Sequence, residues 1–323
     1  MRRALVALFF CLLAACLVTR ARIEGEDRPS FPDKPVKRAS ADFARQWFDG
    51  NAELSAYKTI TPRYGELREA ELVLIYVTEP LDRRTWIKDD EAKEPDRVTV
   101  LKLNESLKFL TGLYPYSVLT SVFAPVDDWG GERFSPVKAT LTCQEWCGHV
   151  FEGFWPGRDR FQHRVISYFA SEGEKTESVS VPEGALYEDA LLIQLRELDG
   201  PFAQGGDWKG ALVPALWRVR RAHVSPKAVE ATIKRSEQNG MTRFVLDAGD
   251  YRRTIDVEKA PPHHIVGWTT SDGESASLVK SARLAYWKMN GRGNETRREE
   301  IGLPHLDAPS RLDPPEGTAS IGR

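Results

Sequence analysis

Apolar and polar positions alternate most clearly between residues 224 and 287. Val229, Ala231 and Ile233 alternate with polar neighbours, the pattern of a strand buried on one face. Asn239-Gly240 follows, a strong signal for a two-residue hairpin turn. The spacing then predicts strands over Thr242–Leu246, Tyr251–Val257, Ile265–Thr270 and Ser275–Arg283. Ala248-Gly249-Asp250, Pro261-Pro262 and Ser271-Asp272-Gly273-Glu274 separate them. Turns this close together suit an antiparallel meander, because parallel strands need long crossovers.

The first half is less regular. Leu72–Thr78 is a nearly unbroken apolar run, as in a strand covered on both faces. Val98–Leu103, Ser117–Phe123, Val137–Thr142 and Arg164–Phe169 are further strand candidates. Two segments have helical spacing. Ala41–Tyr57 opens after Ser40 and carries Phe43, Trp47 and Phe48, with Gly50 in its middle. Ala185–Leu198 is amphipathic and stops at Gly200. The fold class expected is mainly β: an antiparallel curved sheet or two-sheet meander, half-barrel-like, with two or three helices. A subdivision near residues 200–210 is one way to divide it; one continuous β-structure is the other.

The N-terminus has a different pattern. Arg2 and Arg3 precede an uncharged apolar run from Ala4 to Ala15. That run has the length of a signal-peptide core and is too short to cross a bilayer, which takes about 20 residues. Leu13-Ala14-Ala15-Cys16 resembles the lipobox of bacterial lipoproteins. The resemblance implies cleavage before Cys16 and lipidation of its thiol and amine, with several acyl chains giving a stable anchor. Residues 1–15 are then a lipoprotein signal peptide, and 16–40 the lipidated cysteine and a flexible tether with Pro29, Pro32 and Pro35. Residues 41–301 form the β-rich globular region. Residues 302–323, rich in Pro and Gly, read as a disordered tail. The location implied is the bacterial cell envelope, on the outer membrane facing the periplasm.

Composition narrows the classes. The chain has 323 residues, with 45 Lys+Arg against 47 Asp+Glu, a formal charge of −2. That balance gives no global electrostatic case for nucleic acid. Four cysteines are too few for a disulfide scaffold, and Cys11 and Cys16 belong to the export signal. No G-x-S-x-G, H-E-x-x-H, Walker A or G-x-G-x-x-G motif is present.

One constellation carries chemistry-bearing residues. On a continuous strand, LTCQEWCGHV (141–150) would set Cys143, Glu145, Cys147 and His149 in one row, with Trp146 on the other face. Thiols, a carboxylate and an imidazole are zinc or copper ligands, with Cys147 and His149 the metal candidates, and a Cys–His neighbourhood can activate a thiol. Distance opposes this on a straight strand: at about 3.3 Å per residue, Cys143 and His149 lie roughly 20 Å apart, and Cys143 and Cys147 about 13 Å, beyond disulfide reach unless a turn or helical geometry brings them together. Buried structural cysteines are the alternative. Trp129, beside Gly130-Gly131, is the tryptophan expected in an exposed loop, the others in the core. Arg218, Arg220 and Arg221 read as a solvated strand face, and His263-His264 as an edge pair unable to chelate together.

Arg63-Tyr64-Gly65-Glu66, Val73–Glu79, Val100–Asn104, Gly112–Ser117, Gln144–His149 and Ala285-Tyr286-Trp287 resemble, in that order, an uncharacterised group of bacterial envelope lipoproteins. Members often carry the label "septum formation inhibitor Maf". True Maf proteins are cytoplasmic α/β nucleotide pyrophosphatases with a basic Ser/Pro/Arg-rich motif near the start, which this chain lacks. The resemblance therefore implies a lipoprotein and no particular activity. The function expected is a non-enzymatic binding module for a lipid, glycan or envelope-protein partner, attached to the membrane by its anchor and needing no cofactor. The alternative is a metal- or thiol-dependent hydrolase using Glu145, Cys147 and His149.

Overall fold

A computed structural model describes residues 31–131, 133–197, 202 and 206–304. The signal peptide, Cys16, residues 17–30 and residues 305–323 lie outside the described residues, as do Gly200, Pro201 and Gly205 of the expected subdivision.

The fold is mostly β, one large open antiparallel sheet with a few short helices. Helix α1 (Ala41–Trp47) leads into β1 (Ala52–Arg63), β2 (Glu66–Asp82), the short β3 (Ile87–Lys88), β4 (Arg97–Thr111) and β5 (Tyr114–Pro125). Then come β6 (Lys138–Glu145), β7 (Gly148–Pro156), β8 (Arg160–Ser167), β9 (Glu174–Ser180) and β10 (Leu186–Tyr187). A 3-10 turn (Glu188–Ala190) runs into α2 (Leu191–Gln194), followed by β11 (Trp208–Val213) and α3 (Leu216–Ala222). The expected meander closes the chain as β12 (Val229–Gln238), β13 (Met241–Ala248), β14 (Tyr251–Glu258), β15 (Ile265–Thr270) and β16 (Ser275–Leu284), before 3-10 turns at Tyr286–Lys288 and Asn294–Ile301.

The hydrogen-bonded path runs from β10 through β11 to β16, then β1, β2 and β4 to β9, with β3 on the side. Pairing of β16 with β1 joins the two halves of the chain into one sheet. Its edges are β9 and β10, yet only residues 181–185 connect them. Six steps of extended chain span about 20 Å, so the sheet curls enough to bring the end of β9 within that reach of the start of β10.

Alternation along each strand then sorts side chains into inside and outside. Leu101, Leu103, Leu107 and Phe109 of β4 face the interior with Val118, Val122 and Tyr116 of β5 and Leu72, Leu74 and Tyr76 of β2. Val73 and Val77 face outward, under Ile301 and Leu303. The apolar run in β2 is therefore covered on both faces, and residues 302–304 of the expected tail lie against the sheet. The interior is filled by the chain itself. Leu186 to Leu195 are all buried, the Tyr76 hydroxyl donates to the Leu192 carbonyl at 3.1 Å, and Arg196 reaches Glu53 in β1.

Several local expectations are corrected. The helix over Ala41–Tyr57 stops at Trp47, because Gly50 takes φ +76° and the chain extends into β1. Ser40 does cap α1, accepting from Phe43 N–H at 3.1 Å. Of the segment Ala185–Leu198, Leu198 lies outside the described residues, and the rest is not an amphipathic helix: Leu186–Arg196 is a short strand, a 3-10 turn and one helical turn, buried throughout. Arg218, Arg220 and Arg221 sit on α3, not a strand, and each is ion-paired. Residues 31–40 of the expected flexible tether are docked: Phe31 stacks on Trp129 at 5.2 Å and Lys37 bridges to Asp128. That contact makes Trp129 buried rather than exposed.

Candidate functional site

The 141–150 segment is not one strand. β6 and β7 form a hairpin turning at Trp146-Cys147, which pairs Glu145 with Gly148, Gln144 with His149 and Cys143 with Val150. Paired residues of an antiparallel ladder share a face. Cys143 and Val150 are buried together, while His149 is exposed beside Gln144 on the opposite face. The expected row of Cys143, Glu145, Cys147 and His149 is corrected by that turn. Both cysteines are free thiols. Burial pushes the Cys143 thiol up to about 11. Cys147 is exposed at the turn, where the Glu145 carboxylate raises its thiol, the reverse of what a nucleophile needs. Glu145 Oε2 accepts from the Cys147 N–H at 2.7 Å. Among the described residues, no group of three or more His, Cys, Asp and Glu side chains is placed to hold a metal ion.

The hairpin matters for another reason. Because neighbouring strands are antiparallel, the turns after β1, β4, β6 and β8 all fall at the same end of the sheet. Each of these turns carries large apolar side chains. Tyr64 is 59 % exposed, Leu113 81 %, Trp146 67 % and Tyr168 65 %, with Phe169 also exposed. Ring contacts join them into an arc. Tyr64 meets Tyr116 at 6.3 Å, Tyr116 meets Tyr114 at 6.0 Å, and Tyr114 meets Trp146 at 6.3 Å. Tyr168 packs against Gly148 of the Trp146 hairpin, where a Cβ would come within 2.6 Å of the ring, and touches Phe169 at 5.5 Å.

Polar contacts hold the arc in place. The Tyr64 and Tyr116 hydroxyls are 2.6 Å apart, and the Arg63 guanidinium lies over both rings at 4.4 and 5.3 Å. Phe109 stacks beneath Tyr116 at 4.9 Å. The turn bearing Tyr168 and Phe169 is tied to α3 through Glu172, which accepts from Arg220 at 2.5 Å and Ser167 at 2.5 Å and meets His223 at 2.8 Å. Burial alone would raise Glu172; these partners hold it at about 2, fully ionised.

Sequence reasoning selected Trp146 and missed Tyr64, Leu113, Tyr114, Tyr168 and Phe169. The available signal was turn parity: alternate turns of a meander share an end, and these carry aromatics and leucine where polar residues are usual.

No family model matches the chain, and no curated protein matches it. Among solved structures, it is similar to the β-barrel-like protein of domain of unknown function DUF1849 from Brucella abortus, at 10 % identity and a TM-score of 0.42. The match covers 72 % of this chain and 97 % of that one.

Proposed function

We propose that this chain is an envelope lipoprotein, anchored through Cys16, that acts as a binding module without a catalytic step, and that the aromatic arc receives a protein partner. The observation that carries the reading is the arc itself. Contiguous exposed apolar surface marks interaction sites, and Tyr, Trp and Arg are the residues that anchor protein interfaces. Placement favours a protein over the chain's own membrane. Phe31 docks on Trp129 in the β5–β6 loop, at the end opposite the arc. Cys16 lies 15 residues before Phe31, so the chain from the anchor enters the fold at the far end and not at the arc.

The test places a photo-crosslinking residue at Leu113 or Trp146 in the full chain in cells, with Val279 on the convex face as control. A discrete adduct of one recurring mass from both arc sites, absent from Val279 and lost with Tyr168→Ser, supports the reading. Its absence at both arc sites, or flotation of the Cys16→Ser chain with phospholipid vesicles that Trp146→Ser abolishes, overturns it in favour of a lipid surface.

A further inference from the structure

A second feature lies at the other end of the sheet. A cleft of about 350 Å³ opens between the β5–β6 loop, the β7–β8 turn and the 181–185 connection. This is within the range of small-ligand sites. Its walls are apolar: Phe31, Pro136, Val137, Pro156, Val181 and Leu186. Two of its lining residues carry buried polar atoms with no hydrogen-bond partner among the described residues, Trp129 Nε1 and Tyr187 Oη. Both residues are more than nine-tenths buried. A buried donor left unpaired is destabilising, so two at one cavity need an explanation.

The polar groups around the cleft constrain what would satisfy them. An indole N–H donates only, so its missing partner is an acceptor. Among the described residues, the carboxylates nearby do not supply it. Asp127 is taken by Arg38 at 2.8 Å and the Ala39 N–H at 2.8 Å, and Glu183 pairs with Arg158 at 2.9 Å. Arg158 and Glu183 line the same cleft as an ion pair, which leaves the two unpartnered donors as its polar handles. Burial alone raises the Tyr187 hydroxyl, so it stays protonated and able to donate.

We infer that this cleft binds a single acyl chain ending in a carboxyl group, with the hydrocarbon against the apolar wall and the carboxyl oxygens accepting from Trp129 Nε1–H and Tyr187 Oη–H. The inference stands apart from the arc, which lies at the opposite end and takes a protein.

Decanoate, below its micelle concentration, is titrated calorimetrically into the full chain carrying Cys16→Ser, which keeps the chain's own acyl groups out of the assay. Saturable binding of one decanoate per chain is expected. Trp129→Phe and Tyr187→Phe keep the rings and remove one donor each, and each weakens binding about five- to tenfold. Decanol, which lacks the carboxylate, binds more weakly than decanoate to the parent chain. Melting curves establish that both variants are folded. Trp146→Ser, on the arc, leaves the affinity unchanged. Absence of saturable binding, an affinity in both donor variants equal to the parent's, or loss of binding in Trp146→Ser overturns the inference.

Discussion

Arg196 places its guanidinium 2.6 and 3.1 Å from the two carboxylate oxygens of Glu53, and both side chains are about 1 % exposed. The pair fastens the segment that fills the interior to the start of β1. Arg196 also donates to the Pro262 carbonyl at 2.8 Å and lies over the Tyr76 and Trp47 rings at 4.5 and 5.2 Å.

Removing one partner leaves the other charge buried and uncompensated. Arg196→Met and Glu53→Gln are each expected to destabilise the fold by about 3–5 kcal/mol in urea unfolding, while the double variant loses less than the sum. Burial alone would raise Glu53, but the charge and hydrogen bonds of Arg196 leave it below the ordinary range. Its contribution is therefore present above the unfolded carboxylate pKa and lost as pH falls through the lowered folded value.

His163 gives the opposite sign. Its Nε2 lies 2.8 Å from Glu152 Oε1 and its Nδ1 3.1 Å from Glu177 Oε1, with the imidazole buried. Burial alone would lower its pKa; the two carboxylates raise it above the ordinary histidine value. A raised folded pKa means stability that is complete below about 6.5 and lost as pH rises through the folded value. Titration of the His163 ring by NMR should show a midpoint above 6.5. In His163→Gln the corresponding decline of melting temperature with pH should disappear.

The cysteines divide by reactivity. Native-state alkylation followed by peptide mapping should label Cys147 quickly and leave Cys143 unlabelled until urea opens the core. Cys143 is buried with its thiol raised to about 11, and Cys147 is exposed at the hairpin turn. Cys147→Ser should leave the melting temperature within about 0.5 kcal/mol equivalent of the parent, as for an ordinary surface change. Strong destabilisation by Cys147→Ser would contradict this placement.

The meander from β12 to β16 was legible because its turns declare themselves. Asn239 and Gly240 both adopt positive φ, as the two-residue turn requires, and β15 spans the expected Ile265–Thr270. The expected helix does not run on into β1, and the sequence hides this for a physical reason. Ala52 to Tyr57 are buried on both faces, so the two-residue period that marks a strand is invisible there. The β6–β7 hairpin hid differently: its turn is Trp146-Cys147, without Gly or Asn, so alternation ran through it unbroken. The burial of Trp129 is invisible in its own loop because it depends on Phe31, about a hundred positions earlier. The arc shares that difficulty. Tyr64, Tyr114, Trp146 and Tyr168 become neighbours only once strand order and direction are known.

Glu105 is the interior group whose behaviour follows most directly from the sheet's curvature. It sits mid-strand in β4 among Leu103, Leu107 and Thr120, paired opposite Leu74 and Thr120. Burial pushes its carboxyl up to about 7, Glu274 and Glu188 add to the shift, and Arg253 opposes it. Between the unfolded carboxylate pKa and about 7, the folded chain therefore binds a proton that the unfolded chain has released. Stability from this group is complete below the unfolded value and falls as pH rises toward 7. Above 7 the fold carries an ionised carboxylate in its interior at a cost of roughly 3 kcal/mol. Glu105→Gln keeps the shape and removes the charge. It should stabilise the chain by up to that amount in urea unfolding at pH 8 and change little at pH 4. Equal effects at both pH values would mean that Glu105 is ionised throughout and that Arg253 outweighs its burial.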